Sequence, residues 1–262
     1  MQELIEIPKD LSSLDGPSLV LGIATTQEEV EAVQRLRYDV YTTEMGVHFP
    51  DAIDGRDVDH FDQFCQHLVV MDTKEDLVVG TYRILTPENA VKAGGFYSES
   101  EFELTQMEHL RAELSECGRS CTHPDYRDGA VIMLLWSGLA QFLRYHNLRY
   151  LFGCASVSLL DEGVQASRVW QLAKQQMQEY ADQPRVTPHE PYPIDLLEAK
   201  VSGDSERVRQ SRIPALIKGY LKIGARICGE PAWDKDFNAV DYPVIVDIEN
   251  MDRRYRRHFG FD

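Results

Sequence analysis

Residues 113–129, Glu113-Leu-Ser-Glu116-Cys-Gly118-Arg119-Ser-Cys121-Thr-His-Pro124-Asp-Tyr126-Arg127-Asp128-Gly129, constrain the fold more than any other stretch. They read as a strand running into a tight glycine-bearing loop, followed at once by the apolar helix Ala130–Arg144. A strand that feeds such a helix belongs in a sheet on which the helix packs. The junction also aims backbone N–H groups at one spot, which suits a phosphate-bearing ligand. The strand itself carries a carboxylate, Glu116, and a guanidinium, Arg119.

The remaining pattern agrees with a mixed α/β sheet flanked by helices. Ser18–Ala24 is a short apolar run that predicts a strand. Thr26-Gln-Glu-Glu29 is a capping box, and Val30, Val33, Leu36, Val40 and Tyr41 recur behind it at helical spacing until Gly46. His67–Met71 and Leu77–Leu85, separated by Asp72-Thr-Lys-Glu-Asp76, predict an antiparallel hairpin. Strands are expected at Ala112–Cys121 and Leu148–Ser156, with the helix 130–146 between them. Residues 158–211 form an insert, helical to about Tyr180 and then an exposed loop through the proline-rich Pro184–Pro193. A helix at Pro214–Lys222 and strands at Ile223–Gly229 and Ala239–Asp247 close the order β-α-β-β-β-α-β-(insert)-α-β-β. We read 1–17 as a loose lead-in, 18–249 as one domain, and 250–262 as a basic tail.

Composition excludes several classes. Hydrophobic residues make up 43% and charged residues 27%, ordinary globular usage that argues against disorder. The formal net charge of −16 disfavours nonspecific nucleic-acid binding, because phosphate contacts need a basic face. No apolar run reaches membrane-spanning length, and the N-terminus lacks the basic start of a signal peptide. The five cysteines, odd in number and without a CxxC pair, fit a reducing cytoplasm. A cytoplasmic protein is expected, peripheral at the inner membrane if its tail docks there.

Many separate motifs resemble one family. They are Leu36-Arg37-Tyr38-Asp-Val40-Tyr41-Thr-Thr-Glu44-Met45-Gly46, Asp59-His-Phe61-Asp62-Gln-Phe-Cys65-Gln-His67-Leu68, Val79-Gly80-Thr81-Tyr82-Arg83-Ile-Leu85, Gly94-Gly95-Phe96-Tyr97-Ser98-Glu99-Ser-Glu101-Phe102 and Tyr126-Arg127-Asp128-Gly129. Leu135-Trp136, Leu151-Phe152-Gly153-Cys154-Ala155-Ser156 and Lys218-Gly219-Tyr220 through Gly229-Glu230-Pro231 continue the set. In this order they resemble the bacterial ornithine N-acyltransferases of ornithine-lipid synthesis, sometimes labelled hemolysin-like, over roughly Leu36 to Val246. A more distant likeness is to the acyl-homoserine-lactone synthases. The resemblance implies the GNAT acyl-CoA N-acyltransferase fold, with a mostly antiparallel sheet. It also implies transfer of a 3-hydroxyacyl chain from acyl carrier protein to the α-amine of ornithine. The carrier's phosphopantetheine thioester is then a substrate, and no resident cofactor is expected.

An amine attacks a thioester only when neutral, so a base must take a proton. Glu116 is the first candidate, and the resemblance assigns that position to acid–base work; its bland counterpart is a surface carboxylate on an edge strand. Glu116 and Arg119, three apart, face opposite sides of a regular strand, unless Gly118 hosts a bulge that brings both to one cleft. Such a splay frees a backbone N–H, at Arg119 or Ser120, for the developing oxyanion. Arg83 and Arg119 are expected to clamp Asp59, Asp62 or Glu116. Asp59 and Asp62, grouped with Arg37, are candidates for binding a cationic acceptor, against the alternative of a solvated acidic loop. Cys117, Gly118, Ser120, Arg127, Gly129 and Phe152 are the candidates for holding the acyl and phosphopantetheine chain. Of the fuller glycine-rich phosphate loop only Arg127 and Gly129 remain, which favours a carrier protein over coenzyme A.

No metal is expected. An EF-hand pattern lacks its closing glutamate near Phe64–His67, and His60 and His67 are too isolated for zinc. No cysteine has a histidine at the spacing of an acyl-enzyme pair. The tail Arg253-Arg254-Tyr-Arg256-Arg257-His258 fits acidic acyl carrier protein or an anionic inner-membrane face, or else is solvated. Rival readings are the same chemistry on glycine, another amino acid or S-adenosylmethionine, and a non-catalytic lipid-binding protein.

Overall fold

The computed structural model describes residues 1–6, 17–50 and 52–261. Most of the expected lead-in, and Asp51, lie outside the described residues. In chain order the first elements are β1 (Gln2–Glu6), β2 (Leu19–Ile23), α1 (Gln27–Val40), β3 (Gln66–Asp72), β4 (Leu77–Leu85) and α2 (Pro87–Ala93). Next come β5 (Phe102–Glu103), β6 (Leu114–Thr122), α3 (Ala130–Tyr145), β7 (Tyr150–Ser158) and α4 (Val164–Glu179). The chain ends with β8 (Thr187–Pro188), α5 (Ile194–Gly203), α6 (Ser205–Gln210), α7 (Ala215–Ile223), β9 (Arg226–Ile227), β10 (Ala232–Asp234), β11 (Ala239–Asp247) and α8 (Arg253–Phe259). No described helix is long and apolar enough to cross a membrane.

These elements form two compact units, Met1–Glu44 with His48–Gly94 and Cys117–Leu148, and Met45–Val47 with Gly95–Glu116 and Arg149–Asp262. In the first unit β1, β2, β3 and β4 form a continuous antiparallel ladder. α1 starts where the capping box predicted: Thr26 Oγ1 accepts from Glu29 N–H at 3.3 Å, and Glu29 accepts from Thr26 N–H at 3.2 Å. α3 lays Val131, Leu134, Leu135, Leu139 and Phe142, all buried, over β2, β3 and β4. Gly80 permits that approach, because a Cβ there would collide with Val131. Arg83, three residues on, faces the opposite side of β4, where α1 packs.

In the second unit β7 and β11 pair antiparallel along their whole length, from Tyr150 opposite Asp247 to Ser158 opposite Ala239. β10 and β9 flank β11, also antiparallel. The opening residues of β6 pair parallel with β7, Leu114 with Tyr150 and Glu116 with Phe152. Tyr242 reaches from β11 to donate to Ala166 O of α4 at 2.7 Å, so α4 covers that face. The mostly antiparallel sheet flanked by helices is the arrangement the sequence predicts.

Four local readings differ. The insert beyond α4 carries α5 and α6 in place of one exposed loop: Pro193 and Asp204 sit at their N-cap positions, and Pro193, with no N–H to leave unpaired, suits a helix start. The strand expected at Ile223–Gly229 shrinks to β9, because α7 runs through Ile223 and stops at Gly224, whose φ of 101° closes the helix. The N-terminal lead-in contains β1, paired on β2. The basic tail is the helix α8, capped by Asp252 and anchored by buried Met251 and Phe259.

Candidate active site

Three arginines and three aspartates meet in the first unit. Arg37, on the buried face of α1, has no exposed surface; it holds both oxygens of Asp62, at 3.0 and 2.9 Å, and the backbone carbonyl of Asp57. Arg83 donates to Asp59 at 2.6 Å and to Asp62 at 3.0 Å. Arg119 reaches Asp59 Oδ2 at 3.2 Å. Asp57 Oδ2 lies 2.9 Å from Arg37 Nε and 3.3 Å from Arg119 Nε, as an ion pair off the line of a hydrogen bond. Gln34 adds a bond to Asp62 at 3.0 Å. Burial pushes the Asp62 carboxyl up, but the guanidinium of Arg37, then that of Arg83, outweighs it and holds the group well below the usual range. Asp59 is lowered likewise, burial opposing and Arg83 then Arg119 prevailing. His67 beside them is pushed down by burial. The expected clamp of Arg83 and Arg119 on Asp59 and Asp62 is therefore present, with Arg37 and Asp57 as its interior. Glu116 is gripped by other groups.

The backbone irregularity foreseen at Gly118 belongs to its neighbour. Arg119 has φ of 50°, in the left-handed region, while Gly118 does not. A non-glycine residue held there costs about 1–3 kcal/mol, and the two ion pairs of its guanidinium lock it in place. Gly118 has open space where a Cβ would point. Cys117 is half-buried, and the carbonyl of Ser120 accepts from Tyr41 OH at 3.2 Å. Arg127 is bidentate to Glu44, at 2.8 and 2.7 Å, and its side chain also donates to Thr122 O. Gly129, φ 105°, caps α3, and Asp128 accepts from Ala130 N–H at 2.9 Å. The loop is thus ordered by its own side chains.

Glu116 sits in the second unit, 5% exposed. Its carboxylate accepts from Tyr97 N–H and Ser98 N–H, each at 2.7 Å, and from the Ser98 hydroxyl. These donors open the short 3-10 turn Tyr97–Ser100, which begins behind Gly94-Gly95; Gly95 has φ 142°, a backbone conformation that favours glycine. The register puts Glu116, Phe152, Cys154 and Asp241 on one face, since Glu116 opposes Phe152, Pro243 opposes Cys154, and Asp241 opposes Ser156. Phe152 is fully buried. The Ser98 hydroxyl also contacts Cys154 Sγ at 3.6 Å. Donor atoms of Glu101, Cys154 and Asp241 lie within 4.8 Å of one another. Burial pushes the Cys154 thiol well up, so it is no ready nucleophile. Ser98, Glu101 and Asp241 were not singled out from the sequence; only the clustering of Ser98 and Glu101 in the Gly94–Phe102 motif hinted at them.

A family model described as an acetyltransferase (GNAT) domain matches residues 36–137, which contain the whole charged network and Glu116. The L-ornithine N(alpha)-acyltransferase of Brucella abortus (strain 2308) is 31% identical, covering 98% of this chain and 96% of its own length. That of Rhodobacter capsulatus is 35% identical over 92% of this chain and 95% of its own. Among solved structures, FeeM, an N-acyl amino acid synthase from uncultured soil microbes, superposes with a TM-score of 0.53 at 13% identity, covering 89% of this chain and 92% of its own, a likeness of fold. A carboxylate seated beside a short parallel ladder, a GNAT domain model and identity at this level along nearly the whole sequence agree: the chain is an acyltransferase belonging to the L-ornithine N(alpha)-acyltransferase family.

Proposed function

We propose that the protein moves an acyl chain from the thioester of acyl carrier protein to the α-amine of ornithine. The amine nitrogen attacks the thioester carbonyl, the C–N bond forms, the C–S bond breaks, and Glu116 takes the amine's proton. The observation that carries this reading is the seat of Glu116, a buried carboxylate fixed by two N–H groups and a hydroxyl on the strand where the family match falls. Its parallel ladder with β7 ends at Phe152 while β7 continues to Ser158, which supports a thioester arm lying along residues 153–156. We assign Arg83 and Arg119 to ordering their charged network, and Asp59, whose side chain is 21% exposed, to meeting a cationic acceptor. Arg37 and Asp62 serve from inside.

Purified protein given acyl carrier thioester and a panel of amines tests the reaction. Thiol release that depends on ornithine supports it; release with glycine or S-adenosylmethionine in its place moves the protein to a rival acceptor. Arg253, Arg254 and Arg257 are exposed on α8, and we assign them to docking the acidic carrier. Arg254→Glu with Arg257→Glu is then expected to raise KM for the carrier thioester several-fold at low salt. Binding of anionic vesicles lost in that variant, with KM unchanged, would move the helix to a membrane role.

Gly118 supplies a further test. Its backbone does not require glycine, and the side-chain direction is open. Gly118→Ala is expected to melt no lower than wild type, because it removes unfolded-state entropy worth about 0.4–1 kcal/mol. With Gly118 assigned to holding the acyl chain, Gly118→Leu is expected to fold and to lose turnover by about tenfold or more. Wild-type rates in Gly118→Leu would remove that position from the donor site.

A further inference from the structure

Three side chains from distant parts of the sequence converge beside the turn that grips Glu116. Glu101 directly follows the turn and closes it, its N–H donating to Ser98 O at 3.1 Å. Cys154 lies mid-β7, and Asp241, 3% exposed, lies one step along the same face on β11. With donor atoms within 4.8 Å, the two carboxyl groups stand close in a site away from bulk water. Carboxylates are acceptors only, so two of them at this range are compatible when one carries a proton. The other groups facing Glu101 are Asp234 at the end of β10, the Cys154 thiol, and Ser98 with Glu116 beyond it. His189 touches this segment through its backbone N–H to Glu101 O at 2.8 Å and its ring to Glu99 O at 3.2 Å. Arg111 is drawn to Glu99, on the turn itself.

We propose that Glu101 and Asp241 share one proton and thereby act as positioning residues for Glu116, pinning the turn Tyr97–Ser100 to the sheet so that its N–H groups and hydroxyl hold that carboxylate. The relay is short: Asp241 to Glu101 across the shared proton, Glu101 to the turn through the backbone, and the turn to Glu116 through three hydrogen bonds. Loss of the proton puts a second negative charge on the pair, and their repulsion loosens the turn. Burial first, then the charges of Asp241 and Asp234, push the Glu101 carboxyl up to about 9, so the pair is protonated at neutral pH. A carboxyl raised in the folded state contributes stability that is whole below its ordinary value of 4.5 and falls as pH rises through about 9.

The catalytic half of this inference rests on Glu116 as the base; the structural half does not, and the experiment separates them. Denaturant midpoints of wild type, Glu101→Gln and Asp241→Asn are measured from pH 6 to 9.5, with hydrogen exchange of residues 95–101. Wild type is expected to lose midpoint steadily and to exchange the turn amides at least tenfold faster at pH 9.5 than either variant at that pH. Glu101→Gln removes the titrating carboxyl and is expected to lack that fall; Asp241→Asn removes the charge that adds to burial and is expected to flatten it. In the rate assay wild-type turnover is expected to drop at least tenfold between pH 7.5 and 9.5, although the neutral fraction of the acceptor amine rises, and Glu101→Gln to drop less than threefold. If one variant does not fold, the other reads the same slope. The same fall in stability and exchange protection in wild type and variants would overturn the shared proton. So would an equivalent of divalent metal in the purified protein that disappears in Glu101→Gln. A flattened stability slope with an unaltered rate profile would keep the proton and overturn the positioning role, whatever Glu116 itself does.

Discussion

Glu116→Gln is expected to release thiol from the acyl donor about a hundredfold more slowly than wild type, the scale set by loss of a positioned base. An amino acid amine is largely protonated at neutral pH, and glutamine cannot take its proton. The same substitution disturbs the seat: the amide oxygen can keep only one of the Tyr97 and Ser98 N–H groups, which met separate carboxylate oxygens at 2.7 Å, and the amide NH2 faces the other. Leaving such a donor unmet costs about 1–3 kcal/mol, so a lowered melting point is expected alongside the lost rate. Glu116→Asp separates the two effects. It keeps the charge, moves it by one methylene, and is expected to recover part of the rate if proton transfer dominates. Initial rates of all three proteins at saturating donor, read beside their melting curves, decide the matter. Near-normal turnover of Glu116→Gln with an unshifted melting curve would mean that the proton goes elsewhere.

The position of Glu116 also explains which parts of the site were legible before the fold was known. Local signals worked where chemistry is local. Thr26 and Glu29 are three apart and satisfy each other's backbone donors, so the start of α1 could be read directly. The hairpin of β3 and β4 follows from two β-rich runs with a short polar connection, and the apolar face of α3 from helical spacing. The pairing of Arg83 and Arg119 with carboxylates is expected because a planar guanidinium clamps them in fixed geometry, and of the candidates Asp59, Asp62 and Glu116 the two aspartates are the ones they hold. What failed was non-local. Nothing in the order Cys117-Gly118-Arg119 tells that the left-handed φ falls on the arginine, because the contacts that hold it come from Asp57 and Asp59. Glu101, Cys154 and Asp241 meet only because β7 and β11 pair in one register, and a shift by one residue would turn Asp241 to the other face. The tail read as a charge run, yet Met251 and Phe259 at its two ends are enough to dock it as a helix.

Arg37→Met is expected to cost about 3–5 kcal/mol at pH 7, the penalty for leaving buried carboxylates without their cation. Arg37 has no exposed surface, and its guanidinium serves both oxygens of Asp62 together with the carboxylate and carbonyl of Asp57. Arg83 keeps one contact to Asp62 and Arg119 one to Asp57, so the remaining charge is shared but not matched. Acid should shrink the effect. The Asp62 and Asp59 carboxyls are lowered in the folded chain, so their stabilisation is present above the ordinary aspartate value and disappears as pH falls below it. Wild type is therefore expected to lose stability steeply below about pH 4, and Arg37→Met to lose less over the same range, so that the two curves converge. Adding Asp62→Leu to Arg37→Met removes the orphaned charge along with its partner, and the double variant is expected to be more stable than Arg37→Met alone, since an apolar pair of similar volume often replaces a buried ion pair at little cost. Urea midpoints at pH 7 and 3.5 for the single and double variants measure each difference. A loss of under 1 kcal/mol in Arg37→Met at pH 7, or parallel curves in acid, would show that the three arginines and three aspartates do not act as one charge-matched core.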